Sequence, residues 1–321
     1  MSVSPVVGPI LDGLPASAPI LGGRCFLRND ARAAGLRIRE LRALLRAGDL
    51  RQVLHGVYLD ARVEEDLAAR VAALDLVRPA DAVIGRRTAA WLRGVDASDI
   101  SPTSPPMVEC IVPPDRTPIR RPGVRCYTAP LHDDDVESVG GIPCTTPTRT
   151  AIDLLRYLRP HLGLAAADAM AHAGMFDVDD LCEQVERWRR GRNIARARRL
   201  ASYCEPLTES YGESWLRLRI LDAGFPRPEA QIPLGGDGRA EFRLDLGYRD
   251  RRVAVEYDGL EFHDSLADRR HDQARRTRIR EVHGWRVLVA GRGEILGRSL
   301  AFERAVGELL GAEPRLRRRL W

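Results

Sequence analysis

Phe242–His263, FRLDLGYRDRRVAVEYDGLEFH, decides how the chain is read. It has the pattern of two alternating strands joined by a tight turn. Phe242, Leu244 and Leu246 share one face of the first strand, with Arg243, Asp245 and Gly247 on the other. Val253, Val255 and Tyr257 share one face of the second, opposite Ala254, Glu256 and Asp258. Side chains alternate across a strand, so the pattern predicts one buried face and one that displays carboxylates. A two-residue loop at Asp250-Arg251 pairs Gly247 with Ala254 and sets Asp245 across from Glu256, with Cβ atoms roughly 5 Å apart. Like charges so placed destabilise a hairpin unless a proton, an arginine or a divalent cation compensates them. That conflict makes the hairpin the best candidate for a functional site. Asp-Arg lacks the glycine that tight hairpin turns favour, so the strands carry the reading more than the turn does.

The chain has 321 residues, enough for two or three domains with real cores. It is 44% hydrophobic and 30% charged, a globular balance rather than a disordered one. Net charge is +5 and the isoelectric point is near 9.1, a mild lean toward polyanions. All 50 basic residues are arginine. The lack of lysine excludes Schiff-base chemistry, a phosphate-loop lysine and a catalytic lysine, whereas arginine favours bidentate contacts to phosphate and guanine. Six cysteines (Cys25, Cys110, Cys126, Cys144, Cys182, Cys204) are scattered without a C-x-x-C pair. That argues against a zinc site and a disulfide framework and points to the reducing cytoplasm. Residues 1–23 read as a loose Pro/Gly-rich leader without a secretory pattern, and no apolar run is long enough for a membrane span.

Asn29 or Asp30 is placed to cap a short helix that ends at Gly35. In a second helix Ile38, Leu41, Leu44 and Leu45 share a face, Arg39, Arg42 and Arg46 lie largely outside it, and Gly48 stops it. Leu50–Asp60 then reads as a hairpin. This is the order of a winged helix-turn-helix, whose second helix enters the major groove. A small helical domain with a solvated arginine face fits the spacing equally well. The segment RELRALLRAGDLRQVLHGVYLD (Arg39–Asp60) resembles the N-terminal winged-helix segment of AbiEi-type antitoxins, the DNA-binding halves of type IV toxin–antitoxin pairs. The likeness continues through IGRRTAAWLRGV (Ile84–Val95) and GIPCTTPTRTAIDLL (Gly141–Leu155), spanning about residues 24–200. It implies DNA binding at the protein's own promoter, with Arg37, Arg39, Arg42 and Arg46 as contacts, and a cognate toxin as partner.

In the middle of the chain, residues 65–77, 87–94, 162–173 and 178–202 read as helices, and Val108–Val112 and Val124–Thr128 as strands. Thr146 caps a helix that begins at Pro147 and runs to about Leu158. The basic stretch VERWRRGRNIARARRL (residues 185–200) reads as a solvated connecting helix or a phosphate contact. His161 and His172 are isolated and read as structural.

A new domain begins near Pro206. Ser210 and Glu213 match a capping box at the head of a helix that ends at Gly224. Strand Glu229–Leu234 precedes the hairpin. A polar helix capped by Asp264, an apolar strand Trp285–Ala290 and a helix Glu294–Leu310 follow it, and the tail RLRRRLW reads as frayed. Helix, strand, hairpin, helix, strand is the order of the restriction-like PD-(D/E)XK nuclease core. Residues 209–296 resemble a branch of that superfamily related to very-short-patch repair endonucleases. The likeness is carried by Glu213 in ESYGESWLR, the GFPRPEAQ turn, Asp245, EYDGLEFH (Glu256–His263), Asp272 with Arg275 and Arg276, and GWRVL. The expected fold class is α+β multidomain: leader 1–23, winged helix 24–62, α/β and helical middle region 63–205, restriction-endonuclease-like domain with a central mixed sheet 206–312, and basic tail 313–321.

The nuclease resemblance implies a hard cation, Mg²⁺ or Mn²⁺, held by Asp245, Glu256 and the backbone carbonyl of Tyr257. Glu213 reaches the same cation or a water bound to it, or serves the cap, or does both. The sequence departs from the pattern at Asp258, where (D/E)-X-K has lysine. Asp258 is then a further ligand, or it orients His263, the substitute general acid or base. Arg275 or Arg276 stabilises phosphoryl charge, and Arg276 is also a DNA contact. Two functions follow. One is a metal-dependent DNA endonuclease, with a repair partner. The other is an antitoxin-like transcriptional regulator whose nuclease fold binds without cutting. RNA is a third substrate that the composition leaves open. The first predicts DNA cleavage with Mg²⁺ or Mn²⁺ that Asp245→Ala and Glu256→Ala abolish. The second predicts a footprint near the protein's own promoter that survives chelation, with no cleavage.

Overall fold

The computed structural model describes residues 23–97, 106–188, 190–235, 241–259, 266–319 and 321, and of residues 266–272 the backbone alone. In chain order the elements begin β1 (Phe26–Leu27), α1 (Arg28–Ala33), α2 (Ile38–Ala47), β2 (Leu50–Leu54), β3 (Val57–Asp60), α3 (Leu67–Val77), β4 (Val83–Ile84) and α4 (Arg86–Leu92). Then come β5 (Val108–Val112), β6 (Val124–Thr128), β7 (Val136–Val139), β8 (Ile142–Thr145), α5 (Pro147–Tyr157), α6 (Pro160–His172), α7 (Val178–Arg187) and α8 (Ile194–Ala201). The last part holds α9 (Tyr211–Asp222), β9 (Glu229–Leu234), β10 (Phe242–Tyr248), β11 (Val253–Asp258), α10 (Leu266–Glu281), β12 (Arg286–Gly291), α11 (Arg292–Leu296) and α12 (Ala301–Leu310). Mixed α+β, as expected, the chain divides into two compact units. One holds the residues up to Ile84 with Pro102–Leu131 and Ser138–Pro143; the other holds Gly85–Ser101, His132–Glu137 and Cys144–Trp321.

In the first unit β3 lies between β1 and β2 in an antiparallel sheet. The predicted inner face of α2 is buried: Leu41 packs with Phe26, Ala31, Leu36 and Tyr58, and Ile38, Leu44 and Leu45 lean on that cluster. Leu27, not Asn29 or Asp30, caps α1, because the Asp30 carboxylate reaches back one turn to accept the Leu27 N–H at 2.8 Å. Gly48 ends α2 at φ +79°, a left-handed conformation that glycine adopts without strain. In the same unit β5 runs parallel to β6 and antiparallel to β4.

In the second unit α5, α6, α7 and α8 enclose an apolar cluster built on Leu154, Leu155, Leu164, Met170 and Leu200. Thr146 caps α5 as expected, accepting the Arg149 N–H. The single helix expected over 178–202 is two, broken where Gly191 takes φ +156° and Asn193 φ +58°. Arg187, Arg190 and Arg192 are exposed, whereas the arginines of α8 turn inward. Arg196 donates to the Leu155 carbonyl at 3.2 Å, Arg198 to the Trp188 carbonyl at 2.6 Å, and Arg199 pairs with Asp222. The last helix is likewise split, into α11 and α12.

The remaining sheet has strand order β12-β11-β10-β9, antiparallel except for the β11–β12 pair, which α10 connects. One face packs against α9, α11 and α12 through Trp215, Leu216, Val253, Val255, Ile295 and Val306. The other packs against Ile279 of α10 and Trp285. α6 is locked to α9 by buried Arg217, which pairs with Asp168 and donates to Thr208 Oγ1 and to the Tyr203 carbonyl. Among the described residues no helix is long and apolar enough to cross a membrane.

The tail is docked rather than frayed. Arg319 is bidentate on buried Glu303, at 2.8 and 2.9 Å. The Trp321 indole N–H donates to Asp222 at 2.9 Å, and its ring lies 3.5 Å from the Arg219 guanidinium and stacks on His161. Trp321→Ala removes the cation–π contact and a hydrogen bond to a buried carboxylate. It is expected to lower the stability of the second unit by about 2 kcal/mol, read as a lower urea midpoint; a frayed tail would leave that midpoint unchanged.

Candidate functional site

The hairpin register is the predicted one. Gly247 lies opposite Ala254 and Leu246 opposite Val255, and Asp245, the next residue of β10, meets β11 at Tyr257, whose N–H it accepts. The connection is longer than two residues: Arg249–Arg252 separate Tyr248 from Val253, with Arg252 left-handed at φ +48°. Adding one residue at each end of the loop leaves the pairing unchanged.

Strict alternation fails at the site itself. Leu244 packs with Ile232, Ala254 and Ile279 on the α10 side, whereas Leu246 packs with Val253, Val255 and Trp215 on the α9 side. β9 changes face at the same level. Gln231 takes φ +53° between Ala230 and Ile232, and these two belong to opposite clusters. Asp245 therefore sits where both strands are irregular, a local geometry often found beside functional side chains. The acidic face is not displayed to solvent either, because α10 covers it and Glu256 is only 4% exposed.

Each carboxylate is compensated differently. Asp245 Oδ2 accepts the Tyr257 N–H at 2.9 Å. Burial pushes its carboxyl up to about 7; the Tyr257 N–H opposes this, and the neighbouring charges of Glu213 and Glu256 add to it. Glu256 is held by Arg275 as a two-pronged fork, Nη1 to Oε2 and Nη2 to Oε1, both at 2.9 Å. The same Nη2 donates to the Arg243 carbonyl at 3.0 Å, which ties the guanidinium to β10 as well as β11.

Glu213 is buried at the first turn of α9. Ser210 Oγ accepts its N–H at 3.2 Å, as predicted, but the reciprocal bond closes on Glu209 N–H at 3.0 Å rather than on Ser210. The same Glu213 oxygen accepts from Gln231 Nε2 at 2.8 Å. A Cβ at Gly212 would overlap the Tyr257 ring, so α9 lies directly on β11. Asp258 pairs with Arg276 at 3.6 Å.

Asp245, Glu256, Glu213, Tyr257, Asp258, Arg275 and Arg276 thus fall in one neighbourhood. His263 lies outside the described residues, as does the side chain of Asp272. The residues that sequence reading missed are Gln231 and the Arg243 carbonyl. Gln231 closes the GFPRPEAQ segment, but its role follows from a backbone irregularity that residue type does not signal.

The implied Mg²⁺ or Mn²⁺ would need the open carboxylate oxygens of Asp245 and Glu256. Both Glu256 oxygens face the Arg275 fork. Among the described residues no group of three or more His, Cys, Asp or Glu is arranged to hold a metal ion. The residues as placed do not fit such a cation.

The second candidate surface lies in the first unit. Arg37, Arg39, Arg42 and Arg46 are all exposed on α2 and its cap. Arg28 and Arg32 of α1, also exposed, join Arg37 around a cleft of about 360 Å³.

Residues 80–202 match the family described as AbiEi antitoxin C-terminal domain, the region of GRRTAAWLRGV and PTRTAIDLL rather than of the N-terminal helices. Two relatives from Mycobacterium tuberculosis, the uncharacterized proteins MT2308 (strain CDC 1551 / Oshkosh) and Rv2248 (strain ATCC 25618 / H37Rv), are each 32% identical over 250 residues, 78% of this chain and 88% of theirs. The crystal structure of RV2827C protein from the same organism shares 16% identity over 56% of this chain and 71% of that one. Its TM-score of 0.28 is too low to carry a structural argument.

Asp245 makes stability depend on pH. Its carboxyl ionises near 3.8 when unperturbed and near 7 in the fold. Between those values the folded state holds a proton that the unfolded chain has released. The stability tied to that proton is present at low pH and is lost as pH rises through about 7. Asp245→Asn keeps an oxygen for the Tyr257 N–H and removes the charge. It is expected to be more stable than the wild type by on the order of 2 kcal/mol near pH 8, with the gap closing toward pH 5. Denaturant midpoints across that range check this, and a pH-independent difference would contradict it.

Proposed function

We propose, from the premise that this chain belongs to the same family as the Mycobacterium tuberculosis proteins MT2308 and Rv2248, that it is a DNA-binding regulator of the AbiEi antitoxin kind. The observation that carries this reading is the charge on α1 and α2. Arg28, Arg32, Arg37, Arg39 and Arg42 are exposed, and none forms an ion pair with a described residue. The nearby carboxylates are spent on the backbone: Asp30 accepts the Leu27 N–H, and Glu40 accepts the Arg37 N–H at 2.6 Å. In the second unit, by contrast, Arg149, Arg217, Arg275 and Arg319 are matched to carboxylates. A run of unmatched guanidiniums on a helix pair followed by the β2–β3 hairpin suits a winged helix gripping a duplex. The antitoxin-type match at residues 80–202 supports a cognate toxin as a second partner.

A second reading, hydrolysis of DNA phosphodiester bonds with Mg²⁺ or Mn²⁺, is supported by Asp245 and Glu256 on paired strands beside Glu213. It is the weaker one, because the Arg275 fork occupies Glu256 and no catalytic step can be drawn through a metal there.

Fluorescence anisotropy with duplex DNA from the region upstream of the gene tests the first reading. Arg39→Ala/Arg42→Ala/Arg46→Ala is expected to weaken binding at least roughly tenfold and to flatten the dependence of log K on log salt by about 0.9 for each phosphate no longer neutralised. Unchanged affinity and slope would sink it. Divalent-dependent cleavage that Asp245→Ala abolishes would favour the second reading instead.

A further inference from the structure

The fork on Glu256 is a built feature. Glu256 lies inside a sheet covered on both faces, at 4% exposure. An ionised carboxylate there is costly to bury without a cation and a full set of hydrogen bonds. Arg275 supplies both, with two parallel bonds of 2.9 Å and a third of 3.0 Å to the Arg243 carbonyl that fixes the guanidinium plane. One position along α10 and two along β11, Arg276 reaches Asp258 at 3.6 Å, so α10 meets two acidic groups of β11 in succession. A divalent ion shared by Asp245 and Glu256 needs the open mouth of the Glu256 carboxylate, which the fork fills. Two cations cannot occupy that space together.

We infer that Arg275 is the resident cation of this carboxylate cluster, standing where a divalent metal would bind and excluding one for as long as the fork is closed. Arginine suits the task better than lysine or histidine. Its planar fork matches a carboxylate edge to edge, and it does not lose its proton at any physiological pH. The site therefore opens only by movement of the side chain or of α10, not by titration of the arginine. This inference concerns the C-terminal sheet and stands whether or not the first unit binds DNA.

Mn²⁺ titration of the full-length chain, followed by electron paramagnetic resonance, tests it. Wild type is expected to show no saturable site at millimolar Mn²⁺. Arg275→Gln is expected to gain one, tighter than anything in the wild type by roughly tenfold or more, and Glu256→Gln/Arg275→Gln is expected to lose it again. Should the glutamine variant fail to fold, Arg275→Lys keeps the charge without the fork and is expected to bind Mn²⁺ more weakly than Arg275→Gln but measurably. Wild type alone supplies a further reading, since Mn²⁺ should leave the Tyr257 amide resonance unbroadened. Mn²⁺ bound by the wild type as tightly as by Arg275→Gln, broadening of that amide in the wild type, or a folded Arg275 variant without any gain would each overturn the inference.

Discussion

A carboxylate in the interior of a β-sheet must have a counter-charge, and Glu256 has Arg275. This pair governs the arrangement of the C-terminal half. It fixes α10 over the hairpin, because the guanidinium must reach Glu256 on β11 and the Arg243 carbonyl on β10 at once. It also separates two neighbouring acids into different states. Glu256 takes the arginine, and Asp245 is left with a backbone N–H and a carboxyl shifted toward neutrality. With both in one place, a proton and an arginine do the work that a metal would otherwise do.

The same chemistry recurs through the second unit because every strong base in the chain is arginine. Arg217 joins α6 to α9 through Asp168, Thr208 and the Tyr203 carbonyl, using all three guanidinium nitrogens. Arg219 donates to the Ile295 carbonyl and lies on Trp321, and burial together with Arg319 lowers it to about 10. Arg319 then closes the set on Glu303. Buried guanidiniums of this kind are tolerable only when their donors are satisfied, and these three meet carbonyls and carboxylates. The arginines of α1 and α2 stay exposed, since their neighbouring acids are already engaged with helix ends. Net charge alone says nothing of this division between arginines that build the fold and arginines left exposed.

Much of the fold was legible in residue order. Strand spacing gave β5, β6 and β9 to the residue, and the hairpin register followed from the run of Val, Tyr and Leu. Cap chemistry at Thr146 and Ser210, and glycine at position 48, marked helix ends because those signals act within one turn of chain. The co-location of Asp245, Glu256 and Glu213 was legible too, because short-range pairing and a helix start determine it.

What the sequence could not decide depends on contacts made across long stretches of chain. Period-two alternation predicted an open acidic face, but α10 covers it. The alternation also breaks at Asp245 because Gln231, on the neighbouring strand, bends the sheet there. The docking of Trp321 against Asp222 and the choice of Arg275 as the partner of Glu256 join residues 99 and 19 positions apart. Local pattern names which groups are charged and which way a strand faces. Only packing decides which charges are forced out of water, and hence which of a proton, an arginine or a metal must stand beside them.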